Sequence, residues 1–293
     1  MKVDLECFPC FVRQAVFALN RINMEERVKM EIVKGILDDI KSADLDKSPA
    51  HATTYIYRKL KELTKTDPYS EIKKTYNESA LKLYPGFRDM VMAAPEPLWY
   101  AARLAIAGNI IDFGIYQSVD INATVKKALE KTIAVDDYEL LKTHMGRADK
   151  VLYLLDNAGE IVFDMLLIEV LMSMGLRVTA VVKGGAVIND VTMEDAVAVG
   201  LDKHCMVVSN GTDAVGTDLD ECGEAFLNIY QSHDTVISKG QGNFETLVGM
   251  NKAIFFLFQA KCDVVARHLG LYAGAMLLKQ NIGGFNERAK TDV

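Results

Sequence analysis

Residues 151–160 read VLYLLDNAGE, five apolar positions followed at once by an acid, an amide and a glycine-bearing turn. A short apolar run without alternation suits a strand buried on both faces, as parallel sheets require. Four further runs repeat the pattern: RVTAVV (177–182), HCMVV (204–208), DTVIS (234–238) and AIFFLF (253–258). Their starts lie roughly 20 to 30 residues apart, enough for one strand, one crossover helix and a turn. Helical stretches fill the gaps, in IVFDMLLIEVLMSMG, VTMEDAVAVG and LDECGEAFLNIY. The expected fold is therefore α/β, a Rossmann-like, doubly wound parallel sheet with helices on both faces.

Upstream the chain is built differently. All six prolines precede Trp99, whereas eighteen of the twenty glycines follow it. Apolar residues recur at helical spacing in Phe11 to Ile22, Val28 to Ile40 and Thr54 to Leu63, with Pro68 and Pro85 expected as breaks. Trp99 to Gly114 is apolar and Ala-rich yet carries Asn109 and Asp112, and Ala123 to Lys131 and Asp136 to Thr143 give two more helical patterns. The expected organisation is an all-helical domain over 1–100, a helical connection over 101–149 and an α/β domain over 150–293.

A net charge of -7 and a pI near 5.4 argue against a broad nucleic-acid footprint, which needs clustered Lys and Arg. A small anionic substrate needs only a few local cations. No apolar stretch is long enough to span a membrane, and the start MKVDLECFPC lacks the regions of a signal peptide, so the expected location is the cytoplasm. Five unevenly spaced cysteines do not suit a disulfide framework. Nothing in the sequence specifies an oligomeric state.

Ligands of doubly wound sheets bind at the carboxyl ends of the strands. Here those ends carry Asp156-Asn157-Ala158-Gly159-Glu160, Lys183-Gly184-Gly185, Ser209-Asn210-Gly211-Thr212-Asp213 and Ser238-Lys239-Gly240-Gln241-Gly242-Asn243. Asp156, Asn157 and Asp190 offer the oxygen donors a hard cation takes, often with waters and substrate phosphate completing its shell. Taken singly, each could equally cap the helix that follows. Lys183 and Lys239 sit where an ammonium could meet phosphate, each beside a glycine that lets a ligand approach the backbone, and the bland alternative is a solvated lysine. Asn210, Ser238 and Asn243 join the same rim as candidate phosphate contacts. The chain has no P-loop, no dinucleotide fingerprint after the first strand and no nucleophile elbow. Cys7-Phe8-Pro9-Cys10 has C-x-x-C spacing but stands isolated, which suits core packing more than zinc or redox chemistry.

Together, CFPC at the N-terminus, AGNIIDFG (107–114), LLDNAGEIVFD (154–164), VVKGGAVINDVTMEDA (181–196) and ISKGQGNFETL (237–247) resemble the metal-dependent damage-control phosphatases, domain of unknown function 89, in particular their prokaryotic C-x-x-C-bearing branch. The resemblance spans nearly the whole chain. It implies a divalent cation (Mn²⁺, Mg²⁺, Co²⁺ or Ni²⁺) at Asp156, Asn157 and Asp190, a substrate phosphate at Lys239 with Asn243 nearby, and a contribution of Asn109 and Asp112 to the same cleft. It also implies hydrolysis of phosphate monoesters of small, sometimes damaged, metabolites. The sugar-phosphate branch has K-G-D-x-N-x-R where this chain has Lys239-Gly240-Gln241-Gly242-Asn243-Phe244-Glu245, without the aspartate and arginine. The expected mechanism has the cation polarising the phosphoryl group, Lys239 and Lys183 neutralising its oxygens, and Asp156 or Asp190 as general base, with an aspartyl-phosphate at Asp156 as a variant. The rival readings are an S-adenosylmethionine-dependent methyltransferase and a metal-binding protein without turnover.

Overall fold

The structure, a computed structural model, describes residues 1–108 and 130–281; Asn109 and Asp112 lie outside them. Five helices open the chain: α1 (Cys7–Leu19), α2 (Glu26–Lys41), α3 (Pro49–Thr64), α4 (Ser70–Met92) and α5 (Pro97–Ala107). After them come β1 (Ile133–Asp136), α6 (Tyr138–Met145), β2 (Lys150–Leu154), α7 (Glu160–Ser173), β3 (Arg177–Val182), α8 (Met193–Val199) and β4 (Met206–Ser209). The remainder is α9 (Glu224–Ser232), β5 (Thr235–Lys239), α10 (Gln241–Leu247), β6 (Ala253–Gln259), α11 (Asp263–Leu269) and β7 (Met276–Asn281).

The sheet runs β1-β7-β6-β5-β2-β3-β4. All five apolar runs of the sequence are its parallel strands, paired β4 to β3, β3 to β2, β2 to β5 and β5 to β6. The expected purely parallel sheet needs one correction: β7 pairs antiparallel with β6, and β1 extends that edge parallel to β7. Neither shows in the apolar pattern, because β1 is only four residues long and β7, MLLKQN, turns polar halfway. Leaving β2, the chain builds β3 and β4 on one side and then crosses back to β5 and β6 on the other. The crevice between the ends of β2 and β5 is therefore the topological switch point.

The helix α7, EIVFDMLLIEVLMS, is apolar almost all round because it is covered on all sides, by the sheet and by α4 and α5. Its one-face neighbours explain a second correction. Pro85 does not break the chain's helix but lies inside α4, where it removes one backbone donor. Ala80, Phe87 and Val91 of α4 are nevertheless fully buried, with the Phe87 ring edge-on to Phe163 of α7 at 5.2 Å. That buried stripe outweighs one lost hydrogen bond.

The first three helices pack around Phe11, Ile36 and Ile56 and meet the sheet's carboxyl end through α3 and α10. At that seam Glu245 of α10 is buried, its Oε1 accepting from Gln241 Nε2 at 2.8 Å. Burial lifts its carboxyl from 4.5 to about 7, against the pull of Gln241 and the Ala50 backbone. An acid whose folded pKa is raised holds its proton longer folded than unfolded, so the protein loses stability as pH climbs from 4.5 through about 7. Glu245→Gln should remove that loss: chemical denaturation at about pH 8 should find the variant more stable than the parent by about 3 kcal/mol, with the gain vanishing toward pH 4. A gain that is independent of pH would contradict the assignment.

Candidate metal and phosphate site

Two loops are sewn together above the switch point. The Val191 N–H donates to Asp156 O at 2.8 Å and the Ala158 N–H to Asn189 O at 2.9 Å, so Asn157 and Asp190 face each other in a short antiparallel bridge. These bonds bring Asp156, Asn157 and Asp190 to one rim, although Asp156 and Asp190 lie 34 positions apart in sequence. Ile188, two residues before Asp190, has φ 45, a left-handed conformation costly for a β-branched residue.

A third turn closes on the rim from β5. Gly240 has φ 82, and a Cβ placed there would lie 2.1 Å from the Asp156 carboxyl carbon. Only glycine lets this turn pass so near the carboxylate. Asn243 secures the turn: its amide donates to Lys239 O at 2.7 Å and Leu155 O at 3.2 Å, and its Oδ1 accepts from Thr217 Oγ1 at 2.7 Å.

Burial, then the charges of Glu160 and Asp190, push the Asp156 carboxyl well above the usual carboxylate range. Asp190 is raised by burial, against the opposing pull of Lys183, whose Nζ lies 3.4 Å from it. Among the described residues Asp156 makes no ion pair, and no group of three or more His, Cys, Asp or Glu side chains is placed to hold a metal. The donor set is two carboxylates and an amide. Such a pair, repelling each other in a poorly solvated crevice, fits a hard divalent cation that keeps waters or phosphate in its remaining positions.

Below the rim runs a buried network that the sequence did not announce. Lys239 is fully buried, and its Nζ donates to Glu160 Oε1 at 2.6 Å, Asp164 Oδ1 at 2.6 Å and Ala105 O at 2.7 Å. Glu160 Oε2 accepts from the Asn157 amide at 3.2 Å, and Tyr153 OH donates to Asp164 at 2.7 Å. Burial raises the Asp164 carboxyl to about 6 despite Lys239; the ammonium, which burial alone would depress, is raised by the two carboxylates. The signal available in the sequence was the i, i+4 spacing of Glu160 and Asp164 at the start of a largely apolar helix, since a buried acid must find a partner.

The other expected contacts are placed as follows. Lys183 is buried, donating to Ala214 O at 2.9 Å and to Gly216 O, and lines a separate cavity beneath α4. Asn210 Oδ1 accepts from the Gly184 and Thr212 amides at 3.0 and 3.1 Å and so holds the glycine turn. Ser238 is wholly buried, its Oγ without a hydrogen-bond partner among the described residues. Asp156, Asn157 and Asp190 instead line a cleft of about 540 Å³ whose far wall is α1. Cys7, Cys10 and Cys262 line it too, all as free thiols; burial raises the Cys7 pKa, which works against a reactive thiolate.

A doubly wound α/β sheet with paired acids at its switch point defines the class; comparison with known proteins identifies the family. The damage-control phosphatase ARMT1-like domain matches residues 3–277, and the chain belongs to that family. It is 36% identical over 287 residues to a damage-control phosphatase of Pyrococcus horikoshii, covering 96% of this chain and 99% of that one. A damage-control phosphatase of Archaeoglobus fulgidus is 31% identical over 290 residues, covering 95% and 99%. The crystal structure of a DUF89 family protein from Pyrococcus horikoshii superposes with a TM-score of 0.90 at 33% identity, covering 96% of this chain and 99% of that one.

Removing one partner of a buried ion network leaves uncompensated charge. Lys239→Met should cost about 3 to 5 kcal/mol in urea denaturation. A loss below about 1 kcal/mol would mean that Glu160 and Asp164 do not depend on it.

Proposed function

We propose that the chain is a metal-dependent phosphatase that hydrolyses phosphate monoesters of small, in part damaged, metabolites, with Mn²⁺, Mg²⁺, Co²⁺ or Ni²⁺ as cofactor. The observation that carries this reading is the meeting of Asp156, Asn157 and Asp190 from two separately encoded loops on the wall of one cleft. The names of its relatives support the phosphatase class. No helix among the described residues is long and apolar enough to cross a membrane, and we place the enzyme in the cytoplasm.

In this reading Asp156, Asn157 and Asp190 hold the cation, which when bound supplies positive charge to the phosphoryl oxygens and acidifies water. Lys183 fixes Asp190, and Glu160, itself fixed by Lys239, fixes the Asn157 amide. Asp156, which has no ion pair among the described residues, accepts the proton of the attacking water as its oxygen bonds to phosphorus and the ester P–O bond breaks, and the departing alkoxide takes its proton from solvent. Helices α1 and α3 wall the cleft and limit water around the reacting group.

Turnover of p-nitrophenyl phosphate should vanish in EDTA and return with added Mn²⁺. Asp156→Asn should lower kcat by about a thousandfold or more, and undiminished turnover in the chelator would end the proposal. The contact between Glu160 and Asn157 makes a finer distinction. Glu160→Gln should weaken Mn²⁺ binding by about 10- to 100-fold in calorimetry, as loss of an orienting partner does. Asp164→Asn, which touches Lys239 but not Asn157, should leave Mn²⁺ affinity within about threefold. Equal losses in the two variants would mean that Glu160 acts only through stability.

A further inference from the structure

The loop from β3 to α8 carries Asp190 and is closed at its base, where the Lys183 N–H donates to Val191 O at 2.8 Å. Its tip is bent hard. Ile188 takes the left-handed backbone, and the Asp190 N–H reaches back across it to Val187 O at 3.1 Å. A β-branched residue stays in that conformation only where its surroundings over-determine it. After Ile188, the rim bridge pins the chain through Asn189 O and the Val191 N–H. Before it, Val187 is buried among Phe11, Ile36 and Ile56 of the first three helices, and Ala186 is held by a charge.

That charge is Lys61 of α3, whose Nζ donates to Ala186 O at 2.8 Å and to Asp213 Oδ2 at 2.5 Å. Asp213 belongs to the loop from β4 to α9 and also accepts from Arg58 Nε at 2.8 Å. The two loops touch directly. A Cβ at Gly184 would lie 2.6 Å from the Gly211 carbonyl carbon, and one at Gly185 would lie 3.1 Å from Asp213 Cβ. Lys183 bridges the same two loops from within, 3.4 Å from Asp190 on one side and donating to Ala214 O and Gly216 O on the other. One pair of loops is thus joined by two lysines, one sealed in the interior and one reaching in from the helical layer.

An exposed lysine pair contributes little, because water competes for both charges. Lys61 is 31% exposed and its partners come from two segments that must stay in register, so its contacts constrain backbone as well as charge. Without it Asp213 keeps Arg58, whereas the Ala186 carbonyl loses this donor. The effect of removing the lysine therefore falls on the tip that leads into Ile188 and Asp190. Lys61 is not in the lining of the cleft, so any influence on the site passes through that loop.

We infer that Lys61 is a positioning residue for the metal rim: by joining Ala186 O to Asp213 it holds the strained tip of the β3–α8 loop and with it the Asp190 carboxylate. This rests on the reading of Asp190 as a ligand of the cation in the phosphatase proposed above. The helical layer then acts on the metal site without touching metal or substrate.

Calorimetric titration of the full chain with Mn²⁺, beside hydrogen exchange of the metal-free protein, tests the inference. Lys61→Met should weaken Mn²⁺ binding by about tenfold, and Lys61→Arg, which keeps a charged donor, should restore it to within about threefold of the parent. Exchange in Lys61→Met should quicken by about tenfold over residues 186–191 and stay unchanged in β2. The Mn²⁺ concentration for half-maximal p-nitrophenyl phosphate turnover should rise with the dissociation constant, while KM for the ester at saturating Mn²⁺ stays as in the parent. If Lys61→Met does not fold, Lys61→Gln, which keeps an N–H donor but no charge, takes its place under the same criteria. Mn²⁺ affinity within about twofold of the parent overturns the inference and leaves the phosphatase reading standing. Equal losses in the methionine and arginine variants, with faster exchange throughout the sheet, overturn it too, since Lys61 would then act only through global stability. If the parent binds no Mn²⁺, both readings fall together.

Discussion

A single ammonium group, that of Lys239, ties together the parts of this molecule that have to agree. It is fully buried at the end of β5 and bonded to α5 through Ala105 O and to α7 through Glu160 and Asp164. A charge cannot be taken out of water unless its surroundings are arranged around it, so strand and helices have one acceptable relative placement. Glu160 passes that constraint on to the Asn157 amide, and with it to the rim of the cleft. Precision at the surface here begins with an ion pair in the interior.

The cleft separates its charges by task. Buried cations hold protein groups: Lys183 holds Asp190 and two carbonyls of the loop after β4, and Lys239 holds the acids of α7. Arg13 on α1 and Lys261 in the β6–α11 turn are exposed and make no ion pair among the described residues. A lysine already neutralised in the core exerts little pull on a ligand, whereas an unpaired one in a narrow opening attracts it from a distance. The same reasoning separates the carboxylates, Asp164 sealed under the site and Asp156 at its rim.

Much of the fold was legible because parallel strands buried on both faces leave uninterrupted apolar runs, and each of the five runs is a strand. The convergence of Asp156, Asn157 and Asp190 was legible for a related reason, since polar residues directly after such runs must lie at the carboxyl edge of the sheet. Less was legible where local pattern and tertiary packing disagree. Pro85 sits inside α4 because Phe87 and Val91 are buried against α7, and the strand β7 exists because β6 offered it a partner, as β7 in turn did for β1. Lys183 and Lys239 show the same limit: a lysine followed by glycine reads alike whether it faces solvent or is sealed among carboxylates.

The sequence by itself determined the alternation of strands and helices and the types of group at the strand ends, because burial imposes periodicity and strand ends impose position. Tertiary structure alone decided which charges meet. Lys239 reaches Glu160 across 79 positions and Asp164 across 75. Pairing over such separations depends on which elements are neighbours in the sheet, a relation that no local pattern of residues encodes.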